Sequence, residues 1–521
     1  MANNKLHLAF RSTIETAFYH NHVISINSRH EAYKLASVSS STIVTDLNIK
    51  NAEALGLDKD AKVLVDNNGS IVGRTASSRH IIDCDKDYKF LKLLQDLIQQ
   101  NHKNTFYKSC VHVGLDKDFE VNANVMIKEG SENNLYNTLV NFEFGRIKST
   151  IDDVFIYVDS QWSSVDYPSG LVLLDPVSNV AAILGLRYFG EIKKAILSLV
   201  WNISRKLNYI PCHGGLKHIK CNDKQQTMAF FGLSGSGKST ITLAKHHKDF
   251  ETKVLHDDAF IVCENSLSCI ALEPSYFDKS KDTVINPSDN HIITAQNNGV
   301  FKDESDKIMI RTDDIRNDNG RCIKSRYFID NRVDKITSPL KSIFWIMRDD
   351  AFPACTKIDD PTLASFMGAT ISTARTNAEN SNDIGKLVIE PYANPFRVYP
   401  LFEDYTKFKK LFLNDVKCYI LNTGSFNAVK INPQETFKII EDILNEECEF
   451  MPFGNIKNLS YYMSDGKSID FKKDDYLNNL KDSFILRRKF LNDANEFTWL
   501  PNECHILLEE IIETIDKTLK K

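Results

Sequence analysis

Gly232-Leu233-Ser234-Gly235-Ser236-Gly237-Lys238-Ser239-Thr240 fits G-x-x-x-x-G-K-[ST], the residue order of a phosphate-binding loop. Glycines let backbone N–H groups approach phosphate oxygens, a lysine supplies a compact positive charge, and a hydroxyl can hold a metal ion. The apolar run Thr227 to Phe231 predicts a strand entering the loop, and Ile241 to Lys245 predicts the start of a helix leaving it. A glycine-rich turn between strand and helix would share this outline.

The neighbouring residues narrow the chemistry. Val254-Leu255-His256-Asp257-Asp258 is an apolar run ending in paired carboxylates, with Asp258 twenty residues beyond Lys238. Carboxylates at a strand end beside a phosphate loop can hold a divalent cation directly or through its waters; a solvated acidic turn is the plainer alternative. Upstream, Tyr188-Phe189-Gly190-Glu191-Ile192-Lys193-Lys194 is followed by His213, nineteen residues after Lys194. Taken singly, two lysines at a helix start read as a solvated face and a lone histidine as structural.

Composition excludes several classes. The 521 residues include 64 basic and 69 acidic side chains, for a net charge of −5; this argues against a nucleic-acid binder working by charge. Met1 to Phe10 has no long apolar core, and no run approaches the roughly 18 apolar residues of a spanning helix, so neither signal peptide nor membrane anchor is expected. Eleven cysteines without C-x-x-C spacing suit reduced thiols in the cytoplasm rather than disulfides or a zinc site.

Other elements follow from periodicity. Val63–Val65, Val154–Val158, Leu171–Leu174 and Ile343–Met347 read as strands. Glu191 to Leu207 carries Ile192, Ala195, Ile196, Leu199, Val200 and Ile203 at helical spacing, and further helices are expected from Pro433 and over Cys504 to Leu519. Asn67-Asn68-Gly69, Ser131-Glu132-Asn133-Asn134 and Asn317-Asp318-Asn319-Gly320 read as surface turns.

Read in order, these segments resemble the ATP-dependent phosphoenolpyruvate carboxykinase family, which carries Y-x-G-E-M-K-K, a histidine at the same distance, G-L-S-G-T-G-K-T-T and L-x-G-D-D. Gly73-Arg74-Thr75 is similar to the family's G-R-S, and Glu273 to Lys279 to E-G-G-C-Y-A-K. Arg321, nine residues before Asp330, is similar to the arginine ahead of Y-H-I-D-N. Asp350-Ala351-Phe352-Pro353 resembles D-A-F-G, and Asn422-Thr423-Gly424 with Lys430, Ile431 and Thr436 resembles the nucleotide-base segment. Departures fall on Gly214-Gly215-Leu216, where the family has S-A-N, on Ala76-Ser77-Ser78, on Pro274 and Ser275, and on Ala374 to Glu379.

The resemblance implies a mixed α/β, two-lobed carboxykinase-like fold, with residues 1–205 a substrate lobe and 206–521 a phosphate-loop lobe for nucleotide and metal. It implies ATP, Mn2+ and Mg2+ as cofactors and oxaloacetate as substrate, decarboxylated and then phosphorylated to phosphoenolpyruvate. Lys194, His213 and Asp258 would be the manganese ligands, Ser239 a magnesium ligand, and Asp257 would orient magnesium-bound waters. Gly232 to Thr240, Arg321, Lys430, Ile431 and Thr436 would hold the nucleotide. Arg74, Tyr188, Lys194 and Arg321 would meet the substrate, and Lys193 and Lys238 would add charge for the transfer. Two other readings stay open: a kinase of this fold acting on another acceptor, including a protein, and a nucleotide-sensing regulator. No nucleic-acid or membrane partner is expected.

Overall fold

The computed structural model describes residues 4–73, 78–233, 235–247, 249–283, 285–374, 387–463, 469–471 and 473–520. The chain packs into two units, Met1–Ile203 with Leu272–Asp330, and Ser204–Ala271 with Asn331–Lys521. A single cut near residue 205 thus marks only the first crossing. Residues 272–330 return to the first unit because their strands pair there: Ile292–Gln296 runs parallel to Lys62–Asp66 (β1), with Thr294 opposite Leu64.

The first unit is built on an eight-stranded sheet whose central strands, Val154–Asp159, Val180–Leu184 and Leu171–Asp175, are buried at every position. Their nearly unbroken apolar runs are what a strand covered on both faces requires. Beside it, β1 lies in a five-stranded sheet with the strands Ile292–Gln296 and Arg321–Lys324. The helical spacing read from Glu191 is realised in the helix Phe189–Lys206, whose Ile192, Ala195, Ile196, Leu199, Val200 and Ile203 are all buried.

One expectation is overturned. Ser131-Glu132-Asn133-Asn134 is no surface turn: it caps and begins Glu132–Asn141 (α1), a helix buried along its entire length. The asparagines tolerate burial because their amides satisfy other buried groups. Asn134 Nδ2 donates to the Arg187 carbonyl at 3.1 Å, Asn137 Nδ2 donates to Asp66, and Asn141 Nδ2 donates to Glu273 at 2.7 Å. These three positions lie on one helix face and reach segments that the sequence marks as functional: the entry to Phe189–Lys206 (α2), the strand before Gly73, and the Glu273 stretch.

Asp66, at the end of β1, is wholly buried, and burial pushes its carboxyl up to about 7, opposed by the Asn137 and Thr294 donors. An unfolded aspartic acid titrates near 3.9, so between about pH 4 and 7 the folded chain keeps a proton that the unfolded chain releases. Stability is therefore expected to fall as pH rises through that window, by up to about 1.4 kcal/mol per pH unit from this group. Urea unfolding of wild type and Asp66→Asn across pH 4–8 checks this: the variant should lack that component, and identical pH slopes would contradict it.

The second unit centres on another eight-stranded sheet. In chain order its relevant strands are Gly215–Cys221 (β2), Lys224–Phe231 (β3), Phe250–His256 (β4), Leu340–Met347 (β5) and Lys417–Asn422 (β6). β3, β5 and β6 run parallel, and β2 pairs antiparallel with β3 and β4. Because β3, β5 and β6 share one direction, the loops leaving them lie at the same end of the sheet. Phe230, Phe344 and Tyr419 stack across these three strands with ring centroids 5.0 and 5.1 Å apart. The helix following the glycine loop, Lys238–Leu243 (α3), stops short of the expected Lys245. Later helices are Pro433–Asn445 (α4), Asp474–Asn492 (α5) and Asn502–Leu519. α5 buries Leu477, Leu480, Phe484 and Leu491 at helical spacing and adds a polar anchor: fully buried Arg487 donates to Ser372 Oγ at 2.9 Å and lies 3.7 Å from Asp349. Among the described residues, no helix is long and apolar enough to cross a membrane.

Candidate active site

β3 ends at Phe231 and the glycine loop turns directly into α3 at Lys238. Gly237, at φ +90°, caps that helix in the left-handed region that side chains resist. Two groups from adjacent strand ends hold the loop backbone. Thr423 Oγ1, just after β6, donates to the Ser236 carbonyl at 2.7 Å, and Arg348, just after β5, donates to the Gly235 carbonyl at 3.4 Å. Thr423 belongs to the Asn-Thr-Gly stretch singled out in the sequence. Arg348 carried no signal, since one arginine beside Asp349 reads as a surface ion pair. Asn422 Nδ2 donates to the carbonyls of Asp349, Phe352 and Ser425 at 2.9, 2.6 and 2.7 Å, clamping the two strand ends together. Ser234 lies outside the described residues.

The paired aspartates follow β4. Asp257 is buried, whereas Asp258 is partly exposed and lies 3.8 Å from Lys238 Nζ. His256 fixes this turn, its Nδ1 accepting from the amides of Asp258 and Ala259 at 3.1 and 3.3 Å. Asp258 Oδ1 stands 2.9 Å from His213 Nε2, at the end of the strand Tyr209–His213. The other ring nitrogen of His213 faces the carbonyl of Ala393; a carbonyl only accepts, so Nδ1 carries a proton, while Nε2 donates to Asp258 when it too is protonated and offers a lone pair to a cation when it is not. That carbonyl is aimed by an unusual turn in which Tyr392 and Ala393 both adopt positive φ, 51° and 52°. Two consecutive non-glycine residues in this region cost of order 1–3 kcal/mol each and persist only where packing over-determines them. Here Tyr392 stacks on Phe408 at 4.4 Å and its hydroxyl bonds Ser365.

A neutral imidazole oriented by a backbone carbonyl, set opposite a carboxylate, is a donor set that suits a divalent ion such as manganese. Among the described residues no group of three His, Cys, Asp or Glu side chains comes together.

The nucleotide-base candidates lie in the same unit. Lys430 is exposed on the short strand Val429–Lys430, Ile431 is buried with its amide bonded to the Gly424 carbonyl, and Thr436 is buried on α4. Ser239 is half-buried and Thr240 exposed on α3.

The first unit carries the remaining candidates. Lys193 and Glu273 form an ion pair of 2.9 Å with both side chains fully buried, under the Phe277 ring and with Asn141 on the other carboxylate oxygen. Lys194, next on α2, is half-buried, its ammonium 5.9 Å from the Trp201 ring. Tyr188 is buried and packs on Phe277 at 6.0 Å. Arg321 is buried and donates to the Gly320 carbonyl at 3.1 Å. Arg74 lies outside the described residues.

This arrangement defines a mixed α/β protein with a phosphoenolpyruvate carboxykinase-like fold. The sequence pattern of the phosphoenolpyruvate carboxykinase family matches residues 61–465, and the chain belongs to that family. It is 26% identical to the phosphoenolpyruvate carboxykinase (ATP) of Dictyostelium discoideum over 58% of this chain and 55% of that protein. It is 24% identical to the enzyme of that name from Aeropyrum pernix over 70% of this chain and 75% of the relative. The same identity to the Staphylococcus aureus enzyme extends over 83% of this chain and 80% of the relative. The match to the Dictyostelium relative thus spans little more than half of that protein's length, while the family match over residues 61–465 includes every candidate site residue.

Proposed function

We propose that this protein is an ATP-dependent phosphoenolpyruvate carboxykinase, converting oxaloacetate and ATP to phosphoenolpyruvate, ADP and carbon dioxide in the cytoplasm. The observation that carries the reading is the 2.9 Å approach of His213 Nε2 to Asp258 Oδ1 with Lys238 Nζ 3.8 Å from the same oxygen. Nucleotide binding alone needs Lys238 and the loop; a histidine–carboxylate pair beside that lysine is a donor set that decarboxylation coupled to phosphoryl transfer can use.

In this reading His213 and Asp258 hold manganese, with Lys194 as the third ligand that the family resemblance assigns, and Ser239 holds magnesium. When bound, these ions supply Lewis acidity toward substrate and phosphate oxygens. Lys238 places its charge at the transferring phosphoryl oxygens, and Asp257 orients water beside it. Arg74 and Arg321 offer bidentate guanidinium groups to substrate carboxylate and phosphate. Lys193, expected to add charge for the transfer, does so from its pair with Glu273, 2.9 Å away, while Tyr188 lines the substrate side. Lys430, Ile431 and Thr436 take the nucleotide base. All eleven cysteines are free thiols, in keeping with a reducing compartment.

Because Arg74 is assigned to the substrate carboxylate, Arg74→Ala is expected to raise KM for oxaloacetate about tenfold or more while leaving KM for ATP within about twofold. Equal effects on both would move Arg74 out of the substrate pocket. The alternative, transfer of the γ-phosphoryl group to another acceptor such as a protein, is favoured by the changed residues at Gly214-Gly215-Leu216. ATP consumption without phosphoenolpyruvate, restored by a protein acceptor, identifies it.

A further inference from the structure

Lys217 is a fully buried lysine two residues beyond the Gly214-Gly215 pair, and no part of the catalytic reading uses it. Its ammonium donates to the Ile241 carbonyl at 2.6 Å, in the last turn of α3, and to His246 Nε2 at 2.8 Å. His246, itself buried, is held from the other side by Glu441 Oε1 on α4, 2.8 Å from Nδ1. The direction of every hydrogen bond in this row follows from chemistry. With Lys217 as the ammonium, which can only donate, and Glu441 as a carboxylate, which can only accept, His246 accepts at Nε2 and donates at Nδ1. The aromatic rings of Phe230, Phe250 and Phe437 enclose the row at 5.5, 5.8 and 6.2 Å. Burial pushes Lys217 down to about 7, opposed by Glu441, and burial together with Lys217 pushes His246 down to about 4, opposed by Glu441.

Two backbone features bring this lysine to α3. The pairing of β2 with β4 shifts register between Leu216 and Lys217, a bulge that re-aims the side chain. At Gly215 a Cβ would collide with the Thr242 side chain, so glycine lets β2 approach α3 closely. The glycines that stand where the family has S-A-N thus have a structural consequence in this chain. α3 has only six residues, too few to be stable by itself. It carries Lys238 and Ser239 at its start and is tied to Lys217 near its end.

We infer that Lys217 is a positioning residue for the phosphate loop, fixing α3 through the Ile241 carbonyl and itself oriented by the His246–Glu441 pair. This rests on the reading of the loop as the nucleotide site, but its structural part is testable without nucleotide. Breaking the tie leaves a buried carbonyl and imidazole without a donor, which loosens α3 while the parallel strands remain closed.

The experiment is amide hydrogen exchange on the full ligand-free chain, for wild type, Lys217→Met, Glu441→Ala and Glu441→Gln. Exchange over residues 238–243 is expected to quicken about tenfold in Lys217→Met and Glu441→Ala, with the β5 amides unchanged. Glu441→Gln keeps an acceptor for His246 Nδ1 and should remain close to wild type. Should Lys217→Met not fold, the two Glu441 variants still decide the matter. Unchanged exchange over α3, or equal quickening across the whole unit, overturns the inference. ATP titration of the same proteins provides the functional arm: Kd for ATP should rise about tenfold in Lys217→Met and Glu441→Ala, with KM for oxaloacetate within about twofold. A wild type that binds no ATP refutes the nucleotide reading and leaves the exchange result standing.

Discussion

Lys238→Ala is expected to lower phosphoenolpyruvate formation by about 100- to 1,000-fold at saturating ATP, with little change in thermal stability. The effect is large because the ammonium sits where charge develops during phosphoryl transfer, and a transition state spread over phosphoryl oxygens loses more from a missing cation than the bound ground state does. The stability change is small because the Lys238 side chain, though 12% exposed, contributes only a 3.8 Å ion pair to Asp258 and fills no core position. A loss in kcat rather than in ATP affinity alone separates this role from simple anchoring. Turnover within about threefold of wild type would remove Lys238 from the reacting centre.

Asp258→Asn is expected to reduce turnover by about 100-fold or more and to raise the manganese concentration needed for half-maximal rate by about 10- to 100-fold. The substitution preserves size but replaces an anion with a neutral amide, so the approach to His213 Nε2 loses its charge. His213 cannot compensate by rotating, because its Nδ1–H is committed to the Ala393 carbonyl on the strained Tyr392–Ala393 turn. The checks are steady-state rates against manganese concentration and metal binding by calorimetry, both on protein stripped with chelator. An unchanged metal requirement would take Asp258 out of the ion's coordination sphere.

Much of this was legible in the sequence because it rests on short-range patterns. The glycine loop, the strand before it and the Asp257-Asp258 turn declare themselves by residue type and spacing, and α2 by its apolar period. What escaped depends on residues brought together from far apart. The asparagines of α1 look like a turn until Asp66, Arg187 and Glu273 are seen to consume their amides. Lys217, in the stretch Leu216-Lys217-His218-Ile219-Lys220 with three basic residues, reads as part of a solvated strand; the bulge after Leu216 and the small Gly215 turn it inward. The return of residues 272–330 to the first unit was hidden for the same reason, since strand pairing such as Thr294 with Leu64 spans more than two hundred residues. α5 was missed although Leu477, Leu480, Phe484 and Leu491 recur at helical spacing; only its buried Arg487 is a residue type that apolar periodicity counts as surface.

The most direct test of the central claim is to incubate the purified protein with oxaloacetate, ATP, manganese and magnesium and to follow phosphoenolpyruvate, ADP and carbon dioxide together. The account predicts that all three appear in equal amounts and that omitting oxaloacetate or manganese abolishes them. Binding of ATP with no phosphoenolpyruvate formed across a range of divalent metals would contradict it.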